Sequence, residues 1–307
     1  MIKKEFPGGV WPVMLTLFTE DNKIDYEAME QLIEWYIRNG VDGLFAVCQS
    51  SEMFYLSDEE SLELAKFVKE KVNNRIPVIA SGNTASNLND HIIQVNEMAK
   101  TGVDAVILIT NRFAQENESD EVFLSNIYAL LDQIPEHIPL GFYECPYPYK
   151  RTISPEVLDE IVKTERFYFL KDTCCDISEI NEKLKVSKDS NLKIYNANTA
   201  TLLESLNSGV DGYSGVMANF HPDLYVWLTN NFNKDKELAS KLQNVLSMCA
   251  LIELQNYPKN AKYNLHFEGI NCNILTRVKK NQTLTNTQKL EIRQLFDHLK
   301  AYREVLF

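Results

Sequence analysis

The sequence predicts an α/β protein of the (β/α)8, or TIM-barrel, type with a C-terminal helical extension. Three observations carry that expectation. Eight apolar, β-branched runs fall at about 10–18, 42–49, 77–83, 105–110, 139–146, 167–173, 192–198 and 212–217, separated by segments of helical period. The runs are continuous rather than alternating, as strands are when helices cover both faces of a parallel sheet. Three segments nearly repeat: NGVDGLFAV at 39–47, TGVDAVILI at 101–109 and SGVDGYSGV at 208–216. Each passes from a helix through glycine and a tight turn into an apolar run, which marks an architectural repeat. Eight strand–helix units suit a barrel better than a doubly wound sheet, the structural alternative, which generally uses fewer strands.

The elements follow in order. After the first run, VWPVMLTLF, Asp25 caps the helix DYEAMEQLIEWYIRN, which Gly40 ends. Ser57, with Glu60 three residues later, forms a capping box for SDEESLELAKFVKEKV. NLNDHIIQVNEMAK supplies the next amphipathic helix, up to Gly102. Ser154 followed by Pro155 starts a later one, since proline fits the first helical position. Residues 1–232 are thus assigned to the barrel. From 233 to 307 the pattern is purely helical, in DKELASKLQNVLSMCALIEL, NAKYNLHFEGI and NTQKLEIRQLFDHLKAY. No linker separates this extension, so one structural unit is expected.

Composition excludes several functions. With 31 Lys and Arg against 43 Asp and Glu, the net charge of −12 argues against a nucleic-acid partner, which would need a basic patch. No apolar run approaches the ~20 residues of a membrane span. Pro7 and Pro12 interrupt the N-terminal apolar stretch and no small-residue cleavage site follows, so export is not expected. The six cysteines, at 48, 145, 174, 175, 249 and 272, lack zinc or disulfide spacing and read as reduced thiols of a cytoplasmic protein. Adjacent Cys174 and Cys175 are expected to pack rather than bridge.

In a barrel, functional groups gather at the carboxyl ends of the strands. Here those ends read VCQSSE, SGNTAS, ITNRF, YECP, LKDT, YNANT and SGVMAN. No HExxH helix, cysteine cluster or GxGxxG is present, and the five histidines are scattered, so neither a metal nor a nicotinamide cofactor is expected. What remains is Lys171, at the end of the aromatic run RFYFLKD, together with Tyr143 and small polar groups. Lys171 could end its strand in water or pair with Asp172. Alternatively, an apolar pocket of Phe167, Phe169 and Leu170 would favour a neutral amine able to form an imine with a 2-keto acid, with a tyrosine shuttling the proton. Asn196 and Asn198 are candidates to contact a polyhydroxylated substrate tail or to close a loop. Ser214 is expected to line the pocket.

At these residues the sequence resembles the dihydrodipicolinate synthase and N-acetylneuraminate lyase family, class I Schiff-base pyruvate aldolases, from about residue 12 to at least 271. YFLKDT is similar to the strand that carries the imine-forming lysine, which implies that role for Lys171. FYECP resembles the Tyr-x-x-Pro motif, implying that Tyr143 relays the proton; the two lie 28 residues apart, in the family register, with SPE at 154–156 between them. AVCQSSEMFYLS resembles the loop that holds the keto-acid carboxylate and puts Gln49 and Ser50 at its two hydroxyl positions and Glu52 at its structural acid. YPKNAKYNLHFEGI is similar to the start of a helix in the family's extension.

The resemblance implies a homo-oligomer, dimer or tetramer, with no cofactor beyond the covalent imine on lysine. The departures are specific. Both loop glycines are replaced, by Cys48 and Ser51. Phe113 stands where a neighbouring subunit's tyrosine would reach the site, and Pro148 stands where an arginine would bind the second substrate, with Lys150 or Arg151 as nearby substitutes. The expected function is therefore a lyase or aldolase acting on pyruvate or a longer 2-keto acid, and not dihydrodipicolinate synthesis itself. A 2-keto-3-deoxy sugar acid dehydratase or N-acetylneuraminate lyase-like enzyme is the alternative, and a catalytically silent keto-acid-binding homologue is the rival of another class.

Overall fold

A computed structural model describes residues 6–306. Strand and helix alternate from β1 (Gly9–Val10) through α1 (Tyr26–Arg38), β2 (Leu44–Val47), α2 (Asp58–Val72), β3 (Val78–Ser81), α3 (Leu88–Lys100), β4 (Ala105–Ile109) and α4 (Asp120–Leu131). The alternation continues through β5 (Leu140–Tyr143), α5 (Pro155–Val162), β6 (Phe167–Asp172), α6 (Ile177–Ser187), β7 (Lys193–Asn196), α7 (Leu202–Ser208), β8 (Gly212–Tyr213) and α8 (Pro222–Asn231). Every neighbour from β2 to β8 pairs in parallel, and β8 pairs with β1. A parallel bridge between Val13 and Phe45 then joins the chain after β1 to β2 and closes the ring. The expected (β/α)8 barrel is the observed fold. The strands are shorter than the apolar runs, because each run extends into the turn that carries its functional groups.

The caps act as the sequence implies. Asp25 accepts from the Ala28 amide, Ser57 and Glu60 form the reciprocal box, and Ser154 accepts from Val157. In the three repeats Gly40, Gly102 and Gly209 take φ of 78°, 84° and 111°, where a side chain would be strained. The repeated aspartates do more than turn the chain. Asp42, Asp104 and Asp211 accept from the amides of Val10, Val78 and Ile194, each at the start of the preceding strand or within it. One residue type thus fixes the same strand-to-strand step three times.

Inside the ring, Trp11, Phe45, Phe169 and Tyr195 form an aromatic layer, with Phe169 stacked on Tyr195 at 4.2 Å and edge-on to Trp11 at 5.1 Å. This layer closes the barrel beneath its carboxyl end. Gly141 permits the close β5–β6 approach, since a Cβ there would lie 2.8 Å from the Phe169 carbonyl oxygen. The register also shifts between Leu140 and Gly141, which turns Phe167 away from Phe169. Phe167 stacks on Phe142 at 4.3 Å, and Phe142 in turn meets Phe123 of α4.

Beyond the barrel come α9 (Lys236–Cys249), a 3-10 turn over Ala250–Leu254, α10 (Lys259–Leu265) and α11 (Asn286–Leu306). The middle segment of the sequence pattern folds as the short α10 rather than as a full helix. A buried ion pair of Lys262 with Glu52, 2.8 Å, pins the extension to the loop after β2. Glu52 also accepts from the amides of Arg277 and Val278, so all its charge is compensated by the extension. Residues 250–258 consequently pass over the carboxyl end of the barrel.

Candidate active site

Lys171 is the penultimate residue of β6, in register with Tyr143 on β5 and Tyr195 on β7. Its side chain is only 4% exposed, yet no carboxylate pairs with it among the described residues. Asp172 points to the other face of the strand and binds Lys183 instead, at 2.6 Å. The Lys171 ammonium lies 4.3 Å from the centre of the Tyr143 ring. Burial lowers its pKa from 10.5 to about 8. Cys48 and Cys145 would oppose the fall only as thiolates, and burial pushes both thiols up. That leaves Glu253, from the extension, as the carboxyl group that opposes the fall. Burial raises Glu253 in turn, and Lys171 pulls it back. The apolar surroundings differ from the expected trio: Phe169 belongs to the layer below, while Phe167 faces the helices and does not contribute.

A cavity of about 440 Å3 opens above Lys171 and is lined by Tyr143, Gln49, Ser50, Asn198, Glu253 and Tyr257, among others. The larger depression, about 1040 Å3, lies at the other end of the strands beside Lys193 and Asp211 and holds no comparable group. In a barrel the carboxyl end carries the chemistry, so the smaller cavity is the candidate site. Tyr143 is almost fully buried, and desolvation keeps its hydroxyl protonated. That hydroxyl donates to Gln49 Oε1 at 3.2 Å, as does the Cys145 thiol at 3.5 Å. An amide oxygen accepts but does not pass a proton on, so a relay through this loop position stops at Gln49.

Ser50 is buried and accepts a 2.8 Å hydrogen bond from Tyr257 of the extension. Ser51 holds the loop where glycines are absent, accepting from the Cys48 amide and donating to the Cys48 carbonyl. Of the remaining sequence candidates, Asn198 lines the cavity and its side chain also accepts from the Thr201 amide. Asn196 does not reach the cavity; it is buried and donates to Thr201 and Ser205, closing the turn into α7. Ser214 is likewise withdrawn, donating to the Trp11 carbonyl. Phe113 is packed against His91 and Phe123, between α3 and α4, away from Lys171. Lys150 reaches the rim and donates to the Thr173 carbonyl, whereas Arg151 is held by Asp120. Cys174 and Cys175 are free thiols.

Beneath the site a charged group locks β5 to β6. Lys183 of α6 binds Glu144 at 2.8 Å and Asp172 at 2.6 Å, all three inaccessible. Burial works against the Lys183 charge, but the two carboxylates outweigh it and raise its pKa. Burial and the neighbouring Asp172 push Glu144 up to about 7, opposed by Lys183 and the Ile153 amide. Sequence reading missed this cluster and missed Tyr257 and Glu253. The motif FYECP contains Glu144, but nothing local pairs it with a lysine 39 residues away. Among the described residues no group of three or more His, Cys, Asp or Glu is arranged to hold a metal ion, and no helix is long and apolar enough to cross a membrane.

A model of the dihydrodipicolinate synthetase family matches residues 6–298. The 4-hydroxy-tetrahydrodipicolinate synthase of Acetivibrio thermocellus is 27% identical over 270 residues, covering 86% of this chain and 89% of that protein. The enzyme of the same name from Clostridium tetani is 28% identical, covering 94% and 97%. Among solved structures, a dihydrodipicolinate synthase from Bacillus anthracis superposes with a TM-score of 0.86 at 21% identity, covering 96% of this chain and 99% of that one. A prophage protein of the dihydrodipicolinic acid synthase family from E. coli K12, in complex with pyruvate, gives 0.86 at 21%, covering 95% and 98%.

Proposed function

Because the chain belongs to the dihydrodipicolinate synthetase family, whose members are class I aldolase-type lyases, we propose that it cleaves or forms a carbon–carbon bond in a 2-keto acid through an imine on Lys171. The observation that carries this reading is a buried lysine with no ion-pair contact among the described residues, facing a cavity at the carboxyl end of the barrel beside a protonated tyrosine. The neutral amine adds to the C2 carbonyl of pyruvate or a longer 2-keto acid, and the carbinolamine expels water to leave a protonated imine. In a 4-hydroxy-2-keto acid, loss of the hydroxyl proton then breaks the C3–C4 bond, an aldehyde departs, and the electron pair is stored as an enamine. Protonation at C3 and hydrolysis release pyruvate and the free lysine. Tyr143 exchanges the protons of these steps, and Ser50 and the Gln49 amide nitrogen hold the carboxylate. No cofactor is required beyond the imine.

Synthesis of dihydrodipicolinate is not the favoured reaction. Pro148 offers no charge for a second carboxylate, and Phe113 is withdrawn into the core without a hydroxyl. Condensation of pyruvate with aspartate semialdehyde should fall well below an ordinary turnover of roughly 1–1000 per second. Dehydration of a 2-keto-3-deoxy sugar acid shares the imine and is favoured by Glu253, a carboxyl in the cavity whose pKa burial raises. Incubation with a panel of 2-keto acids and borohydride, followed by peptide mass analysis, should label the Lys171 peptide alone; absence of any adduct defeats the reading. An adduct without turnover of any aldol or deoxy acid would identify a silent binding homologue. We also expect a cytoplasmic homo-oligomer, dimer or tetramer, checked by light scattering and fractionation.

A further inference from the structure

We infer that Tyr257, a residue of the C-terminal extension, is a positioning residue for the 2-keto acid: its hydroxyl donates to Ser50 and thereby leaves the Ser50 proton for a carboxylate in the cavity. The inference rests on the reading of Lys171 as an imine former and adds to it a chain of hydrogen bonds whose direction is fixed. The chain starts at Asn219, in the 3-10 turn Val216–Asn219 after β8. Its Nδ2 lies 2.9 Å from the Val13 carbonyl oxygen, which only accepts, so the orientation of the amide is determined. Asn219 Oδ1 then accepts from the Tyr36 hydroxyl of α1. The second Nδ2 hydrogen goes to the Tyr257 oxygen, at 2.8 Å.

Tyr257 has one proton to give, and Ser50 Oγ, at 2.8 Å, is the acceptor within reach among the described residues. Ser50 must therefore receive at Oγ, and its own proton has no acceptor among the described residues. Reversing this bond would leave the tyrosine proton without an acceptor among the described residues, a cost that native folds seldom bear. Burial also raises the Tyr257 pKa, which keeps that proton in place. Ser50 is only 5% exposed but lines the cavity with Lys171, so its free proton is available there to an anion. Four chain segments, from α1 to the extension, thus preset one donor. The neighbouring Gln49, whose oxygen is engaged by Tyr143 and Cys145, has its amide nitrogen left to donate beside Ser50.

The test uses borohydride trapping on the full chain, with pyruvate and with acetone, which presents the same ketone without a carboxylate. In Ser50→Ala the half-saturating concentration of pyruvate should rise about 10- to 100-fold, the worth of one hydrogen bond to a charged group, and in Tyr257→Phe, which keeps the serine hydroxyl but not its orientation, it should rise by a smaller factor. In each variant, preference for pyruvate over acetone should fall by the same factor, which a merely structural role would not produce. Ser50→Ala attacks the link from its other end and serves if Tyr257→Phe does not fold; Ser50→Thr should restore preference. Adding Tyr257→Phe to Ser50→Ala should cost nothing further. If wild type traps pyruvate and Tyr257→Phe matches it, or loses pyruvate and acetone equally, the inference is overturned while the function stands. If wild type traps no 2-keto acid, the function fails and the inference with it.

Discussion

Replacing Lys171 by methionine should abolish imine formation and make the protein more stable. The ordinary lysine value is 10.5, and burial brings this one to about 8. At about 1.4 kcal/mol per tenfold, that difference is worth about 3 kcal/mol. Below pH 8 both native and unfolded chains carry the ammonium, and the native fold bears the full desolvation cost. Between about 8 and 10.5 the unfolded chain binds a proton that the native chain has released, so stability rises with pH; above 10.5 the penalty is gone. Methionine has a similar unbranched length and no charge. It forfeits the contact with the Tyr143 ring, an offset of about 1 kcal/mol. The net gain at pH 7 should thus be about 1–3 kcal/mol. Urea unfolding at pH 7 and pH 10 measures it, and the gain should shrink at the higher pH. A variant no more stable than wild type at pH 7, or a gain that ignores pH, would refute the claim that Lys171 is a desolvated amine.

Tyr143→Phe should lower turnover by about 100- to 10,000-fold while adducts still form slowly on Lys171, because the ring is kept and only the proton is lost; full activity would make the tyrosine a packing residue. Glu253→Gln removes the carboxylate that raises the Lys171 pKa, so the pH midpoint of borohydride trapping should move below that of wild type. An unchanged midpoint would show that solvent screens the pair. Lys183→Met leaves Glu144 and Asp172 buried together without a cation and should destabilise the fold by about 3–5 kcal/mol. A loss under 1 kcal/mol in urea unfolding would mean that water enters the cluster.

Much of this molecule is written in short windows of sequence. The barrel follows from apolar runs of strand length, helical periods between them and glycine at the repeated turns, all of them local properties. Lys171 and Tyr143 were found the same way, since a strand end is a local position and the barrel puts strand ends on one face. Their adjacency needed only the parallel β5–β6 pairing. A one-residue register shift is not local in this sense: alternation along the strand puts Phe167 with Phe169, but the irregularity at Leu140 and Gly141 sends it to the helical side. Asn196 fits either of two roles in the sequence for a related reason. Its sequence neighbours cannot show whether its amide meets the cavity or the hydroxyls of Thr201 and Ser205.

Longer separations were beyond sequence reading altogether. Tyr257 meets Ser50 across 207 residues, and Tyr36 meets Asn219 across 183. Nothing in SGVMANF or QNYPKNA marks either partner. The Lys262–Glu52 pair, 210 residues apart, brings Tyr257 to Ser50 by seating the extension on the loop after β2. By itself, then, the sequence determined the elements, their order and the lysine with its tyrosine, because propensity, capping and strand polarity act over a few residues. The tertiary structure decided which polar groups face the cavity and in which direction their protons point, because a hydrogen bond is satisfied only where closure of the chain brings its donor and acceptor within about 3 Å.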